Sequence, residues 1–546
     1  MGTEFGVLST GFGLSGEWRK SHTDADLNYT LYLVTDSSPQ ILGDRDLCDV
    51  VEQAIKGGVT IVQLREKNCD TREFIEKARR LHAITKKYDV PLLINDRIDV
   101  ALAVNCEGVH IGQDDMDIHE ARRLLGPWAI IGVTVSTVEE AIKAAKDGAN
   151  YLGIGTIYAT STKKDTKHII GTAGVARILS ALHKAGHPVD CVGIGGINES
   201  NVHRIVYQSA VDRDRIFLKG VAVVSAIMAA PDPQAAAKRL KEKMTSVPPY
   251  GVDVPSYIAD TTEKVLAEVP SVITAVDANT PLSHNMTNLV VQNFAANVAL
   301  AIGASPIMSN CGDEAADLSK LGGSLVINMG TVDDDALANY IKAVRAYNAV
   351  DRPVIFDPVG AGATTIRRQA VKTLLHECYF DVIKGNEGEI RTVFGDSDVQ
   401  QRGVDSTSTL DETAKATLVR ALAKREKNVV VMTGKTDYVS DGINTYAVEN
   451  GHPYLGLVTG TGCTLGTAIS AAVAKRTTYG RIVHVIAALL HFEIAAELAA
   501  ERADVKGPGT FLPAFLDELY RIRKDTVEEN LEWLQRAKVR KIELRD

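Results

Sequence analysis

The feature that most constrains the fold is a regular alternation of short apolar strands with amphipathic helical stretches over residues 31–230. Strand candidates lie at 31–36, 60–67, 90–96, 108–112, 129–135, 151–157, 189–197 and 215–223. Helical periodicity fills most of the intervals, for example 72–88, 138–147 and 174–185. Eight such units in succession are typical of a (β/α)8 TIM barrel, with a doubly wound open sheet as the alternative.

The second half reads as another α/β domain. Buried strand candidates at 271–274, 325–328, 354–357, 380–384 and 428–433 alternate with Ala-rich helices such as 412–425 and 462–476. This pattern predicts an open, mostly parallel sheet with helices on both faces. Five prolines between 231 and 255 place the boundary near residue 246. We therefore expect a flexible, Gly- and Ser-rich arm over 1–28, a barrel over 29–245 and a second domain over 246–546.

Composition narrows the function classes. The net charge of −9 argues against broad nucleic-acid binding but permits local basic pockets for anionic substrates. Seven scattered cysteines without paired metal-type spacing indicate a reducing compartment. The longest apolar stretches, 289–308 and 482–500, are interrupted by polar residues, and the opening segment lacks the apolar core of a signal peptide. These features predict a cytoplasmic protein without membrane or nucleic-acid partners.

Candidate site residues, most of them polar, lie at the ends of the barrel strands that a barrel collects on one face. They are Gln63, Leu64, Arg65, Glu66 and Lys67 on the second strand, Asn95 and Asp96 on the third, Asp115 on the fourth, Thr134 on the fifth, Thr160, Ser161, Thr162 and Lys163 on the sixth, Gly196 on the seventh, and Val224 and Ser225 on the eighth. Because alternate residues of a strand project to one side, Gln63, Arg65 and Lys67 present an amide and two positive charges together. That set suits a polyphosphate, and a solvated strand end with an ion pair is the alternative.

Metal and phosphate chemistry fits the remaining positions. Asp96 and Asp115 on adjacent strands suit Mg²⁺, which usually takes one or two carboxylates plus substrate phosphates. Arg65 and Lys163, with nearby threonine hydroxyls, would bind those phosphates. The glycines after the seventh strand and the turn after the eighth match the phosphate site common in barrels. Two anion sites suggest two phosphorylated substrates, although an aspartate at a strand end is also a common helix cap.

These segments resemble the thiamine phosphate synthase family. The matching motifs are Q-L-R-E-K (63–67), N-D (95–96), H-I-G-Q-D-D (110–115), T-S-T-K-K-D-T (160–166) and G-I-G-G-I (193–197). The resemblance implies that hydroxymethylpyrimidine pyrophosphate joins hydroxyethylthiazole phosphate with release of pyrophosphate. It implies Mg²⁺ on Asp96 and Asp115, and catalytic roles for Arg65 and Lys163.

The same resemblance assigns the two substrates. It places the pyrimidine pyrophosphate at residues 63–67, Asn95, Thr134 and Lys163, and the thiazole phosphate at Thr160, Ser161, Thr162, Gly196, Val224 and Ser225. Departure of pyrophosphate would leave an aminopyrimidine methyl cation, which the thiazole nitrogen captures. Catalysis would then consist of neutralising the leaving group and excluding water.

The strongest local signal in the second half is V-T-G-T-G-C-T (458–464), which opens a predicted helix. A Gly-rich turn at a helix N-terminus offers backbone N–H groups and a positive dipole end to an anion, with a tight helix start as the alternative. Cys463 in the first turn is expected to have a lowered thiol pKa, unless it is a small buried hydrophobe. Arg367 could clamp nucleotide phosphates. Asp357 and Glu389 are candidates for Mg²⁺, with capping as the alternative for each.

These pieces resemble hydroxyethylthiazole kinase, of the ribokinase-like class. The matching motifs are N-F-A-A-N-V-A-L-A-I-G-A-S-P-I-M (293–308), D-P-V-G-A-G-A-T (357–364), K-G-N-E-G-E-I (384–390) and T-G-T-G-C (459–463). The resemblance implies a thiazole site at Met308 and Gly460, an ATP site at Arg367, Thr433 and Gly462, and a catalytic group at Cys463. It also implies a trimer or hexamer, because that family is trimeric.

The sequence thus predicts a two-enzyme fusion that uses ATP and Mg²⁺, in which the kinase product is the synthase substrate. Three alternatives stay open at this point. The kinase could act on the pyrimidine instead, the chain could be a non-catalytic thiamine-sensing homologue, or one domain could have decayed. No linker feature indicates a tunnel between the domains.

Overall fold

A computed structural model describes residues 14, 27–160, 169–211, 215–246, 260–395, 410–474 and 480–545. The chain divides into two compact units, Met1–Pro248 and Pro249–Asp546. Each unit is described separately below.

The first unit is a closed barrel of eight parallel strands in the order β1 to β8. The strands are β1 (Leu31–Val34), β2 (Ile61–Leu64), β3 (Leu92–Asn95), β4 (Gly108–Ile111), β5 (Ile130–Val135), β6 (Tyr151–Ile154), β7 (Asp190–Ile194) and β8 (Gly220–Val223). The helices are α1 (Leu47–Lys56), α2 (Thr71–Lys87), α3 (Ile98–Val104), α4 (Ile118–Leu125), α5 (Val138–Lys146), α6 (Gly171–Lys184), α7 (Val202–Ser209), α8 (Ser225–Met228) and α9 (Pro233–Thr245). The predicted barrel is confirmed.

Two hydrophobic layers explain why the strands read as continuous apolar runs. One cluster of buried residues fills the space between the strands and the helices. A second, smaller cluster fills the interior and includes Tyr32, Ile61, Leu93 and Tyr151. Strands covered on both faces need apolar residues at every position, which erases the alternation of a half-exposed strand. Gln63, Asn95 and Thr134 lie at or near the C-terminal ends of their strands, and the other predicted polar residues that the structure describes follow their strands at the C-terminal face.

The second unit is built on a nine-stranded sheet in the order β10-β9-β11-β12-β13-β14-β15-β16-β17. The strands are β9 (Leu282–Met286), β10 (Ser305–Ile307), β11 (Ser324–Asn328), β12 (Val354–Asp357), β13 (Val382–Asn386), β14 (Val429–Thr433), β15 (Asp437–Ser440), β16 (Thr445–Val448) and β17 (Val539–Lys541). Strands β9 to β14 pair in parallel, whereas β15, β16 and β17 pair antiparallel.

Ten helices of the second unit cover both faces of this sheet in the part of the chain that the structure describes. They are α10 (Thr262–Asn279), α11 (Gln292–Ala301), α12 (Ala315–Leu318), α13 (Asp334–Ala349), α14 (Thr365–Glu377), α15 (Glu387–Phe394), α16 (Glu412–Glu426), α17 (Thr461–Val473), α18 (Arg481–Glu501) and α19 (Pro508–Val527). Two separate clusters of buried apolar residues pack on this sheet. The arrangement confirms the predicted α/β class.

Helix α18 is the central core helix of the second unit. Its length and composition would allow it to cross a membrane, the one such helix among the described residues, yet 94% of its most apolar window is buried inside the protein. It packs against the other helices of the larger apolar cluster. Its hydropathy is therefore explained by burial within the domain.

The predicted strand at 271–274 is wrong, because these residues lie in the middle of α10. Their β-branched side chains favour a strand. The buried residues Val265, Val269, Val272, Ile273 and Val276 instead follow the helical spacing. Strands β9 and β10 and the three antiparallel strands were not predicted, since each carries polar residues or is short.

Described residues of the predicted arm contact the barrel. The backbone N–H of Leu14 donates to the carbonyl of Leu125 at 2.8 Å, and the Leu14 side chain is buried. Leu27 is buried in the interior cluster. Residues 1–13 and 15–26 lie outside the described residues.

Candidate active sites

Three predicted residues meet where β2 and β3 end. The ammonium of Lys67 lies 2.9 Å from Oδ2 of Asp96, and the Asn95 amide donates to the same oxygen at 2.9 Å. Asp96 has a φ of 56°, a left-handed conformation uncommon for a residue with a side chain. Its backbone N–H donates to the carbonyl of His110 on β4. In this strained conformation the Asp96 carboxylate contacts the Lys67 ammonium.

Asp115 and Thr134 lie at the ends of the next strands. Oδ2 of Asp115 accepts the backbone N–H of Gly112 at 2.7 Å, which folds the loop after β4 back on itself. The amide of Gln113 donates to the carbonyl of Thr134 at 2.6 Å, so the loops after β4 and β5 are joined. The Asp115 side chain is exposed, and an exposed carboxylate is accessible to a cation.

A chain of hydrogen bonds crosses the barrel interior beneath these loops. It runs from Gln63 to Tyr32 at 2.7 Å, to Tyr151 at 2.7 Å, to His110 at 2.8 Å and to Thr134 at 2.7 Å. Burial raises the pKa of both tyrosines above the ordinary value, so their hydroxyls stay protonated. The network fixes the Gln63 and Thr134 side chains, both of which were predicted to contact the pyrimidine.

Sequence reasoning missed the middle of that network. Tyr32 and Tyr151 are separated by 119 positions, so only closure of the barrel brings them together. His110 was noted only as the first letter of a motif. Aromatic residues in buried strands are usually part of the hydrophobic core. No local sequence signal marks Tyr32 and Tyr151 as members of a hydrogen-bond network.

Three residues of the Q-L-R-E-K motif have different surroundings. Glu66 accepts a hydrogen bond from the Ser37 hydroxyl and lies 3.3 Å from the ammonium of Lys77 on α2. These contacts direct the Glu66 carboxylate to the loops around the site. Arg65 is half-buried, and its backbone N–H donates to the hydroxyl of Thr35 at the end of β1. Leu64 is fully buried in the core between strands and helices.

The predicted thiazole phosphate site includes a close approach of two loops. Gly196 has a φ of 67°, and a Cβ atom there would lie 2.7 Å from the carbonyl of Ala159. Only glycine fits, and it brings the turn after β7 against the segment that leads to Thr160. Val224 and Ser225 begin α8 directly after β8. Ser161, Thr162 and Lys163 lie outside the described residues.

A buried ion pair links three elements of the second unit. The ammonium of Lys384 on β13 lies 3.1 Å from Oδ2 of Asp357, the last residue of β12. The same ammonium donates to the carbonyl of Gly462 in the first turn of α17 at 2.7 Å. Burial opposes the charge on Lys384, but Asp357, together with Cys463 and Glu389, holds the lysine pKa above its ordinary value. A charged lysine therefore lies beside the turn that carries Cys463.

Cys463 departs from the predicted electrostatics. Burial raises its thiol pKa above the ordinary value, and the negative charge of Asp357 adds to this, while Lys384 opposes both. The predicted lowered pKa is therefore wrong, because desolvation of the thiolate outweighs the helix dipole. The Asn288 amide lies 3.9 Å from Sγ and donates to Oδ1 of Asn328 at 3.1 Å.

Glu389 is both a cap and a buried acid. Its carboxylate accepts the backbone N–H groups of Gly360 and Asn386, each at 2.8 Å. With Asn386 it forms a capping box at the start of α15. Burial, reinforced by the charge of Asp357, raises the pKa of Glu389 to about 7. The capping alternative is thus correct for this acid and does not exclude a ligand role.

The Arg367 guanidinium is held by carbonyl groups of the neighbouring loops. Its guanidinium donates to the carbonyls of Met329 and Val359, at 2.5 and 2.7 Å, and to that of Gly330 at 2.8 Å. These bonds join the loops after β11 and β12. A guanidinium with three carbonyl partners is fixed in place, so a phosphate could use only its remaining N–H groups.

The other predicted kinase residues lie at the same sheet edge or on the turn before α17. Thr433 ends β14 and Met308 follows β10. Gly460 caps α17 with a φ of 95°, and a Cβ there would lie 2.5 Å from Val291. Gly462 is exposed with open space around it. The turn therefore presents backbone N–H groups at a helix N-terminus, as predicted for an anion site.

Carboxylates at both sites are suited to magnesium but form no preassembled metal cage. Oδ1 of Asp357 is buried and has no hydrogen-bond partner among the described residues. A bound cation could satisfy such an oxygen. No group of three or more His, Cys, Asp or Glu side chains with metal-binding geometry occurs in the described ranges. Mg²⁺ usually completes its shell with water and substrate phosphates, so single carboxylates suffice.

Known proteins match both units. The thiamine monophosphate synthase family model matches residues 31–227, and the hydroxyethylthiazole kinase family model matches residues 273–525. A hydroxyethylthiazole kinase structure from Pyrococcus horikoshii is 37% identical, covers 51% of this chain and 100% of its own, and has a TM-score of 0.45.

Two yeast proteins match nearly the whole chain. The probable thiamine biosynthetic bifunctional enzyme of Schizosaccharomyces pombe is 44% identical over 523 residues, which are 95% of this chain and 99% of that protein. The thiamine biosynthetic bifunctional enzyme of Saccharomyces cerevisiae is 39% identical over 531 residues, covering 92% and 96%. This chain belongs to the family of bifunctional thiamine biosynthetic enzymes, with a thiamine-phosphate synthase domain followed by a hydroxyethylthiazole kinase domain.

Proposed function

We propose that the chain works as two consecutive catalysts, with the roles of individual residues assigned below. The kinase half transfers the γ-phosphoryl group of ATP to hydroxyethylthiazole, and the synthase half couples the product to the pyrimidine pyrophosphate. The observation that carries this proposal is the gathering of residues from seven barrel strands at one face. We assign residues 29–245 to the synthase and 246–546 to the kinase.

In the synthase half, the bond between the pyrimidine methylene carbon and the pyrophosphate oxygen breaks, and the thiazole nitrogen bonds to that carbon. Arg65, Lys67 and Lys163 would neutralise the departing pyrophosphate. Asn95 and Thr134 would orient the pyrimidine, since the interior network fixes Thr134. Residues 160–162, Gly196, Val224 and Ser225 would bind the thiazole phosphate.

In the kinase half, Met308 and Gly460 would bind the thiazole, and Arg367, Thr433 and Gly462 the nucleotide. Cys463 is assigned the catalytic position beside the substrate hydroxyl. Because its pKa is raised, the thiol would orient that hydroxyl while the N–H groups of the α17 turn stabilise the transferring phosphoryl group. A small contribution from base catalysis is consistent with a slow enzyme.

Mg²⁺ would be held by Asp96 and Asp115 in the synthase half and by Asp357 and Glu389 in the kinase half. The metal would neutralise phosphate charge in both reactions. The orphaned Oδ1 of Asp357 and the exposed carboxylate of Asp115 support this assignment. We further propose a trimer or hexamer and a cytoplasmic location.

One reaction mixture tests the proposal. Hydroxyethylthiazole, MgATP and the pyrimidine pyrophosphate are supplied together, and thiamine phosphate is sought by mass spectrometry. Omission of ATP should abolish the product, and preformed thiazole phosphate should restore it. A parallel kinase assay with hydroxymethylpyrimidine separates the pyrimidine-kinase alternative. Absence of pyrophosphate release under all conditions would instead favour a non-catalytic homologue.

Two variants assign each chemistry to its half. Asp96→Ala should lower coupling of preformed thiazole phosphate by roughly 10²-fold and leave thiazole phosphorylation unchanged. Cys463→Ala should lower phosphorylation by at least about 10-fold and leave coupling unchanged. Loss of coupling in Cys463→Ala would contradict the division of labour between the halves.

A further inference from the structure

Two carboxyl groups in the kinase core are not used by the proposed mechanism. Asp437 begins β15, and Glu493 lies in the middle of α18. Both are buried, with 6% and 5% exposure, and their carboxyl groups are hydrogen-bonded to each other. Two carboxylates cannot form that bond, because neither has a proton to donate. The pair must therefore hold at least one proton.

The surrounding groups place this proton on Glu493. The second oxygen of Asp437, Oδ1, accepts the backbone N–H of Gly434 at 2.8 Å, and the charge of Lys384 also favours ionised Asp437. Glu493 faces Asp437 and Glu497, both acidic, and its Oε2 has no hydrogen-bond partner among the described residues. Burial raises the pKa of Asp437 to about 6 and that of Glu493 further above its ordinary value.

The pair lies directly behind the turn between β14 and β15. That turn begins at Thr433, the residue to which we assign ATP, and Gly434 follows it. The bond from Gly434 to Asp437 fixes the turn from the core side, and the bond from Glu493 fixes the Asp437 carboxylate. A purely apolar contact would pack the turn but would not orient its peptide groups.

We propose that Asp437 and Glu493 are positioning residues that share one proton and hold the Thr433–Gly434 turn in the conformation that binds ATP. The inference rests on the proposed assignment of ATP to Thr433. Neither carboxyl touches the substrate. Loss of the Glu493 donor should therefore weaken nucleotide binding and spare the thiazole site.

Steady-state kinetics of thiazole phosphorylation by the full chain tests the proposal, with ATP and thiazole varied in turn. Glu493→Leu removes the donor at similar volume, and Asp437→Ala removes the acceptor of the Gly434 N–H. Each should raise the KM for ATP at least 10-fold while the KM for thiazole stays within 3-fold. Glu493→Gln keeps a donor toward Asp437 and should keep the KM for ATP within 3-fold of wild type.

Controls separate this inference from its premise. Glu501→Gln, about two helical turns further along α18, alters an exposed carboxylate that is paired with Arg536 and should leave both KM values unchanged. Thr433→Val should raise the KM for ATP if ATP is assigned correctly. If it does not, the proposed nucleotide site fails. If Thr433→Val raises the KM for ATP while the Asp437 and Glu493 variants leave it unchanged, only the positioning role fails.

Two further results would overturn the positioning role. One is an equal effect of Glu493→Gln and Glu493→Leu. The other is a parallel rise of both KM values, which would indicate general loosening of the domain. Coupling of preformed thiazole phosphate, measured on the same preparations, reports the amount of intact synthase half. If Glu493→Leu does not fold, Asp437→Ala alone tests the positioning role. That variant leaves Glu493 protonated and therefore buries no unpaired charge.

Discussion

At the scale of single residues, Lys384 shows how a buried charge can serve a site that it does not line. Its ammonium joins Asp357 at the end of β12 to the first turn of α17. The residue is only 4% exposed, so its charge depends on buried partners, chiefly Asp357. Removal of one partner from a buried pair leaves the other charge uncompensated.

We expect Lys384→Met to lower the stability of the kinase half by about 3 kcal/mol, because Asp357 would remain buried without its cation. Phosphorylation should fall together with stability, since the Gly462 carbonyl loses its bond. Urea unfolding followed by activity measures both effects. Lys320→Met is the matched control: its ion pair with Asp317 is largely exposed, and the unfolding midpoint should not move.

Cys463 and Cys311 allow the raised thiol pKa to be tested. Because the thiolate is the nucleophile, alkylation of Cys463 by iodoacetamide should be slow at neutral pH and rise about 10-fold per pH unit until its pKa is passed. Cys311 in the same half is exposed and should react faster at neutral pH. Peptide mass spectrometry resolves the two sites. Faster alkylation of Cys463 than of Cys311 at neutral pH would contradict the burial argument.

The contact among Lys67, Asn95 and Asp96 could be predicted from the sequence, because the ends of adjacent barrel strands lie side by side. Lys384 was missed as a functional residue because a lysine within an apolar strand has no local partner. Its partner Asp357 is 27 positions away, and the Gly462 carbonyl is 78 positions away.

At the scale of elements, α18 shows how a core helix accommodates ionisable side chains. Burial lowers the pKa of His484 and His491 to about 4, so both are neutral at physiological pH. Glu493 is protonated, and Glu497 lies 3.0 Å from the ammonium of Lys538. None of the four therefore buries an unpaired charge.

This state makes the stability of the kinase half depend on pH. The pKa of Glu493 is raised on folding, so its contribution to stability is complete below the unfolded value of about 4.5 and declines as pH rises above it. One proton gives a slope of about 1.4 kcal/mol per pH unit. We expect Glu493→Gln to remove this slope from the stability profile of the kinase half at pH values above about 5, up to the pKa of folded Glu493. Urea midpoints at several pH values measure it, and parallel profiles would contradict protonation of Glu493.

Element prediction worked best in the barrel and least well in the later sheet. Barrel strands are apolar at nearly every position, and their spacing alone identifies them. In α10, local β propensity pointed to a strand, whereas burial of one helical face decided the outcome. The strands β15 and β17 carry Asp437, Arg540 and Lys541, so their composition gave no strand signal.

At the scale of the whole molecule, each unit has its own hydrophobic cores. The clusters of the barrel comprise residues up to 244, and those of the sheet begin at Val265, among the residues the structure describes. Each unit is large enough to fold around its own core. The prolines between residues 231 and 255 predicted a boundary between two domains near residue 246.

We expect a core cavity in one half to leave the chemistry of the other intact. Leu152→Ala removes a fully buried side chain from β6 and should destabilise the synthase half by about 3 kcal/mol. After incubation in graded urea, coupling should be lost at a lower concentration than in wild type, while loss of phosphorylation is unchanged. A common shift of both midpoints would show that the two halves unfold as one cooperative unit.

The last strand, β17, has a practical consequence for anyone who extends this polypeptide. Its three residues pair with β16, and Arg540 forms ion pairs with Glu412 and Glu449. The strand is therefore fixed at the edge of the sheet. An affinity handle fused to the C-terminus would follow the strand that ends the sheet order. A spacer rich in glycine and serine, without β-branched residues, should prevent the handle from adding a further strand and nucleating aggregates.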